Sequence, residues 1–422
     1  MRPHSWIGLG LLGLLNSCQS ANETAVKQDL AGAIQVQWFP TEAYAFSDSA
    51  MAVSEDGSLR LDSGQWVELR LQFPISGRYA SEVVASASAE GSELWIEDYV
   101  DNPDGRTYNI TGALRISNGD SLDTVSVDGS PLRADTLHPM RIHSRKNGIQ
   151  LHMATFTLLR EHRASTRIMT QSMEGSQWGL VWSDEFETEQ IDTSKWTYDL
   201  GNWGWGNNEL QYYTERRDEN ARTENGSLII EAKKSENDET WTSARLTTRG
   251  KVAFLYGKIE LRAKVPRQRG NWAAGWTLGN AYVDELSWPY CGEIDILESV
   301  GFELNDSTGD GIAHATVHTP AYYFKIGNQI SSVRPVADMA GTWHTYSVEW
   351  TPTEVRGYVD DELYYLYDKS ANRREWPFDQ PQNLILNLAM GGGWGGALGM
   401  DPEMSTQIFE LDYVRVYEKT DP

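Results

Sequence analysis

The stretch WPYCGEIDILESVG, Trp288 to Gly301, sets three carboxylates, Glu293, Asp295 and Glu298, into a short run of Ile and Leu. An apolar run of this length bounded by glycines reads as a buried β-strand, in which alternate side chains face opposite sides of the sheet. Glu293 and Asp295 then share a face, and Glu298, an odd number of residues further on, points away. A β-bulge at Ile296 and Leu297 removes the conflict, because one extra residue returns Glu298 to the side of the other two. Three clustered carboxylates repel one another unless they share a proton, so the run is a poor element of fold alone. It suits glycosidic-bond chemistry, in which a nucleophile and a proton shuttle stand about 5–5.5 Å apart. A solvated acidic strand edge and a metal site are the competing readings. The alternation with Ile294 and Ile296, and a chain around them rich in Trp, weigh against both.

Outward from this strand the pattern stays β. KIELRAKV (Lys258 to Val265) alternates Ile259, Leu261, Ala263 and Val265 with charged residues, and Val355 to Leu366 reads as a hairpin turning at Asp360 and Asp361. Residues 177–420 hold many such runs and no long helical period, which predicts one large β-sandwich. Residues 34–160 show shorter strands separated by turn signals such as Asp104-Gly105 and Asn147-Gly148, which predicts a smaller β-sandwich. The polar segment 161–176 is the expected linker and the small, polar residues 19–33 the expected tether. The expected fold class is therefore all-β, a large jelly-roll sandwich preceded by a smaller one. A chain of 422 residues fits two domains.

The N-terminus carries Arg2, an apolar run from Trp6 to Leu15 and then Leu-Asn-Ser-Cys. That run is too short for a membrane span and reads as an export signal. Its ending resembles a bacterial lipoprotein cleavage box, which implies lipidation of Cys18 and an anchor at the outer membrane or cell surface; an ordinary secretory signal is the alternative. Cys291 would then be the only thiol, a packing residue with no His near it in sequence. The net charge of -24 speaks against nucleic acid and against any membrane contact beyond the lipid, because counterion release needs clustered Lys and Arg. An uncharged partner and a monomeric chain are the expectation.

GEIDILE resembles the bulged signature of glycoside hydrolase family 16, in the form associated with laminarinases. The likeness extends to WSDEF (Trp182 to Phe186), WGWGNNELQYYT (Trp203 to Thr214), NWAAGWTLG (Asn271 to Gly279), TVHTPAY (Thr316 to Tyr322) and WPFDQPQNLILNLAMGGGWGG (Trp376 to Gly396). Ordered matches over the whole second unit are far more specific than one short motif. The resemblance implies a jelly-roll endo-β-1,3-glucanase acting on a neutral β-glucan without a cofactor. Glu293 would be the nucleophile, Glu298 the acid/base and Asp295 the residue that tunes their protonation. It places His318 near the acid/base and His314 as a weaker candidate on the same face. Trp272, Trp276 and Trp394 would flank the cleft, with Trp203, Trp205 and Asn208 at its edge and Arg245 and Asn387 as sugar-binding candidates.

Two departures from the family pattern, Ala273 in place of Pro and Thr319 in place of Trp, bear on subsite geometry. The resemblance also implies a structural calcium ion on Glu185, Gly226 and Asp412. Other activities of the family, on mixed-linkage glucan or algal galactan, and a non-catalytic glucan receptor are the alternatives; retention of both Glu293 and Glu298 favours catalysis. The first sandwich resembles carbohydrate-binding modules of family 6, with Trp95, Tyr99 or Tyr108 as ligand aromatics and a plain spacer as the alternative.

Overall fold

The computed structural model describes residues 26–28, 33–37, 45–237 and 240–422. Cys18 lies outside them. Among the described residues the helical structure is confined to two 3-10 turns, Gly301–Glu303 and Phe324–Ile326. Everything else that is regular is strand, as the period-2 patterning requires.

The second half folds as two sheets packed face to face. The inner, nine-stranded sheet runs Ile168–Thr170, Ala253–Leu255, Gln382–Met390, Asn271–Gly279, Glu293–Val300, Gly311–His318 and Ile330–Val336 along its main path. The ten-stranded outer sheet is centred on Thr406–Thr420 and Gly257–Lys264. Ile259, Leu261, Ala263 and Val265 all enter the core between the sheets. Asp360 and Asp361 adopt φ 49° and 64°, so the hairpin turns where the sequence places it.

The acid strand Glu293–Val300 carries the expected bulge. Asp295 pairs with Trp276 and Leu297 with Gly275, so Ile296 is the unpaired residue on that side. On the other side Asp295 opposes Thr316 and Glu298 opposes His314, three steps against two. Ile294, Ile296 and Leu297 all pack into the core, two of them consecutive, and the acids are thereby turned to the opposite face.

The first half is a sandwich of two six-stranded sheets. Three sequence expectations change here. Val26–Gln28, expected in the tether, pairs antiparallel with Ile34–Gln37. The expected linker is a strap: Ile168–Thr170 pairs in parallel with Ala253–Leu255, and Asn280 exchanges hydrogen bonds with both backbone groups of Ser165. Of the aromatic candidates for sugar binding, Tyr108 is in the core and withdrawn from any ligand. Trp95 stacks on His143 at 4.9 Å and Arg141 lies 4.2 Å over the Tyr99 ring, while both rings stay only partly buried.

The two sandwiches share apolar packing. Trp203, Trp205, Tyr213 and Leu286 from the second join the core cluster of the first. The backbones touch at Gly129 and Gly201: a Cβ on Gly201 would meet the Asp128 carbonyl at 2.0 Å, and its φ of 117° also demands glycine.

A matched pair of variants tests the core assignment of the bulge. Leu297→Ala should cost about 2–5 kcal/mol, read as a lowered Tm. Leu363→Ala, on the half-exposed hairpin, should stay within about 0.5 kcal/mol.

Candidate active site

A cleft of about 650 Å3 runs over the inner sheet, and Glu293, Asp295 and Glu298 form its floor with Ala274, Trp276, Thr316 and Asn387. One wall is the segment 281–292 with Phe324 and Lys325; the other is Trp272, Trp394, His314 and Val333. The loop Trp203 to Glu209 runs from the first wall, where Gly206 meets Glu285, to the Gly391–Gly393 turn, where the Gly393 N–H donates to the Asn207 carbonyl at 2.7 Å.

Each glutamate is held by an indole. Trp288 Nε1 donates to Glu293 Oε2 at 2.8 Å, and Trp272 Nε1 donates to Glu298 Oε1 at 3.1 Å. Each keeps a second oxygen for a substrate or a proton. Asp295, 4 % exposed, has Oδ2 without a hydrogen-bond partner. Burial raises the proton affinity of all three acids above the ordinary carboxylate range, and for Glu293 and Asp295 the Glu298 charge adds to it. The indole donors oppose the rise at both glutamates. Three acids so placed release their protons in steps that belong to the cluster.

His318 needs correction. The strand register sets it opposite Glu293, and its Nε2 stands 3.6 Å from Glu293 Oε1 and 3.5 Å from Asp295 Oδ2, whereas His314 is the residue opposite Glu298. His318 and Glu293 pair ahead of the bulge, and the bulge then brings His314, in place of Ala313, opposite Glu298. Burial pushes the His318 pKa down to about 4, so the ring is neutral at neutral pH. His314 is committed elsewhere: Nε2 is 2.6 Å from Glu303 Oε2 and the ring meets Trp394 edge-on.

Most of the other expected residues line the cleft, with their polar groups partly engaged. Trp272 and Trp394 meet edge to face at 5.3 Å. Trp276 donates to Asn387 Oδ1 at 2.7 Å, and Asn387 Nδ2 donates to the Tyr213 hydroxyl at 3.0 Å. Arg245 is pinned by Asp199 at 2.9 Å between the rings of Trp205 and Trp276, each 4.8 Å away. It shapes the floor more than it offers hydrogen bonds. Asn208, at φ 58°, is exposed on the edge loop. Trp203 and Trp205 are buried and serve the contact between sandwiches as much as the cleft edge. Cys291 is buried, and burial raises its thiol pKa, as a packing residue requires.

The calcium set does not assemble from its side chains. Both Glu185 oxygens accept from Arg415, at 3.0 and 2.7 Å, and Asp412 accepts from Arg262 at 2.6 Å. Gly226 has its own reason to be glycine: with Asn225 it forms the positive-φ turn between Ala221–Glu224 and Ser227–Lys234. As the side chains stand, Glu185 has both oxygens on Arg415 and Asp412 has Oδ2 on Arg262, so a cation here would rest on backbone carbonyls and Asp412 Oδ1. Among the described residues the acid and histidine cluster with metal-like spacing is Glu293, Asp295 and His318, inside the cleft itself.

Sequence reasoning overlooked Trp288, Glu209 and Glu285. Glu209 is held by Gln211 at 2.7 Å and Asn207 at 3.2 Å, and Glu285 pairs with Lys325 at 3.6 Å. Trp288 sits five residues before Glu293 in the opening stretch, yet only the folded segment shows that its N–H returns to that glutamate.

The raised proton affinities make stability depend on pH. Acids whose folded pKa exceeds the unfolded one stabilise the fold fully below the unfolded value, and that contribution is lost as pH rises through the folded one. Tm should therefore fall between about pH 6.5, above which the depressed His318 pKa no longer adds an opposing rise, and about pH 9. Asp295→Asn should flatten that slope and raise Tm at pH 8. An unchanged slope in thermal melts across this range would contradict the buried-acid reading.

Comparison with known proteins agrees with this geometry. The model of Glycosyl hydrolases family 16 matches residues 208–414. The chain is 48% identical over 261 residues to a β-glucanase of Rhodothermus marinus, covering 58% of this chain and 87% of that protein. It is 35% identical over 257 residues to a glucan endo-1,3-β-glucosidase of Cryptopygus antarcticus, covering 56% and 91%. The solved laminarinase of Rhodothermus marinus matches at 47% identity with a TM-score of 0.53, over 58% of this chain and 99% of that one. SCLam, a non-specific endo-β-1,3(4)-glucanase, matches at 39% identity with a TM-score of 0.53, over 60% and 98%. With an acid-floored cleft on a jelly-roll sandwich and relatives of this similarity, the chain belongs to glycosyl hydrolase family 16 and is a glycoside hydrolase.

Proposed function

We propose that the chain is an endo-acting β-1,3-glucanase that cleaves laminarin-like glucan with retention of configuration. The observation that carries this reading is the bulge at Ile296, which sets Glu293 and Glu298 on one cleft floor with an indole donor on each. In the first step Glu293, as carboxylate, attacks the anomeric carbon while Glu298 gives its proton to the departing glycosidic oxygen. In the second, Glu298 takes a proton from water, the resulting oxygen attacks the same carbon, and the bond to Glu293 breaks. The Trp288 N–H favours the charged form of Glu293 that the attack needs. Asp295, between the two, keeps the cluster from ionising completely. Both steps are carried by carboxylates and require no cofactor.

The names of the Cryptopygus glucan endo-1,3-β-glucosidase and of the Rhodothermus laminarinase support β-1,3 linkages, and that of the Rhodothermus β-glucanase supports a β-glucan substrate. Local charge supports a neutral substrate. Besides the three floor acids the cleft holds Glu209 and Glu285, and its cations Arg245 and Lys325 are paired with Asp199 and Glu285. A sulfated galactan would meet repulsion there. The breadth of SCLam, whose printed description is non-specific, makes mixed-linkage glucan the second reading.

The reading extends to location. Residues 1–18 have the form of a lipoprotein signal, so we place a monomeric enzyme at the bacterial outer membrane or cell surface, anchored through lipidated Cys18.

Glu293→Gln should lower turnover of laminarin by at least about a thousandfold and leave glucan affinity near that of the wild type. Wild-type-like turnover in that variant would falsify the assignment. Product analysis on laminarin, lichenan, agarose and κ-carrageenan should give oligosaccharides fastest from laminarin; release from a galactan alone would overturn the substrate. Cys18→Ala, expressed in a bacterial host, should move the protein from the membrane fraction to the soluble one, and retention in the membrane would remove the lipid anchor.

A further inference from the structure

The cleft wall formed by residues 281–292 is held from behind by the first sandwich. Arg133 sends its guanidinium fork onto the carboxylate of Asp284, which is fully buried, and its Nη2 reaches Ser287 Oγ at 3.1 Å. Asp284 Oδ1 in turn accepts from the Ser287 N–H at 3.0 Å and from its hydroxyl at 2.9 Å. A second arginine of the first sandwich, Arg106, donates to the Leu286 carbonyl at 3.1 Å, and the Leu286 side chain is seated in that sandwich's core. The next residue after this braced turn is Trp288, whose indole N–H is the donor to Glu293.

We propose that Arg133 is a positioning residue for the catalytic pair, acting through Asp284 and Ser287 to hold the Trp288 N–H on Glu293. The proposal rests on the reading of Glu293 as nucleophile. Its physical basis is that the segment 281–292 has little regular structure of its own, so its shape depends on what braces it. The fork fixes two oxygens of a buried carboxylate in one plane, which a single hydrogen bond cannot do. The match to the Rhodothermus laminarinase covers 99% of that chain and 58% of this one, so the bracing sandwich has no counterpart there. In this chain the added sandwich backs the cleft wall without lining it.

Several charged or titratable groups face Glu293: Asp295 and Glu298 on its own strand, His318 on the adjacent one, Cys291 and Glu285 on the segment, and Arg245 across the floor. Asp295, Glu298, His318 and Arg245 stand on other elements, whereas Cys291 and Glu285 share the braced segment with Trp288. Of the groups on that segment the indole is the hydrogen-bond donor to Glu293, and its loss raises the proton affinity of that carboxylate.

The test compares Arg133→Ala and Arg133→Lys with the wild type as full-length chains. Indole N–H resonances are recorded against pH, with the Trp288 signal assigned by Trp288→Phe, and kcat and KM are measured on laminarin. In the wild type the Trp288 signal should titrate with Glu293. Arg133→Ala should displace that signal, lower kcat by about tenfold or more with a smaller change in KM, and move the acid limb of kcat/KM to higher pH. Arg133→Lys, which keeps the charge and loses the fork, should fall between the two. A folded Arg133→Ala with an unmoved Trp288 signal and an unmoved acid limb overturns the proposal, whatever its Tm. If that variant does not fold, wild-type values in Arg133→Lys overturn it. A wild type inactive on laminarin would defeat the substrate reading alone, since the indole titration still decides the positioning role.

Discussion

Three carboxylates on one buried sheet face are the constraint on which the rest of the site depends. A strand with period 2 cannot present Glu293, Asp295 and Glu298 together, so one residue has to be surplus. The surplus is Ile296, and the chain makes it useful by sinking both Ile296 and Leu297 into the core, where the lost ladder pairing is offset by apolar burial. The catalytic arrangement and the core are two sides of the same eight residues.

Burial sets the chemistry. Removed from water, the three acids hold protons at a pH where surface carboxylates would not, and their mutual repulsion keeps them from ionising together. That is costly to the fold and suits a reaction that needs one carboxylate charged and one protonated at the same moment. The surroundings divide the labour mainly through neutral donors, with the Arg245 charge adding to the pull on Glu293. Two indole N–H groups each take one oxygen of a glutamate, and His318, neutral at neutral pH, adds no cation that would strip the protons away.

Aromatic and arginine side chains then couple this floor to the rest of the molecule. Arg245, stacked between Trp205 and Trp276 and paired with Asp199, ties the floor to a loop that also fills the first sandwich's core. Asp199 is shared with Arg78 of the first sandwich at 3.6 Å. The smaller sandwich therefore touches the cleft walls through their backs, while its own Trp95 and Tyr99 rings stack on His143 and Arg141.

Much of this was legible in the sequence because local periodicity carries it. The all-β class, the Asp360-Asp361 turn, the alternation of Ile259 to Val265 and the bulge at Ile296 and Leu297 follow from spacing alone, since a sheet has two faces and a turn needs tolerant residues. Other features depend on partners distant in the chain. The pairing of Glu185 with Arg415 and of Asp412 with Arg262 engages those carboxylates, and nothing near either acid in sequence announces it. His318 faces Glu293, and His314 faces Glu298, because strand register decides it. Trp288 reaches Glu293 only once the segment between them has folded, and Arg133 reaches Asp284 across 151 positions only once two sandwiches have packed. The sequence by itself determined most strands and their apolar faces, though not the pairing of Val26–Gln28 or Ile168–Thr170; the tertiary structure decided which polar groups meet, because hydrogen bonds and ion pairs are settled by proximity in space.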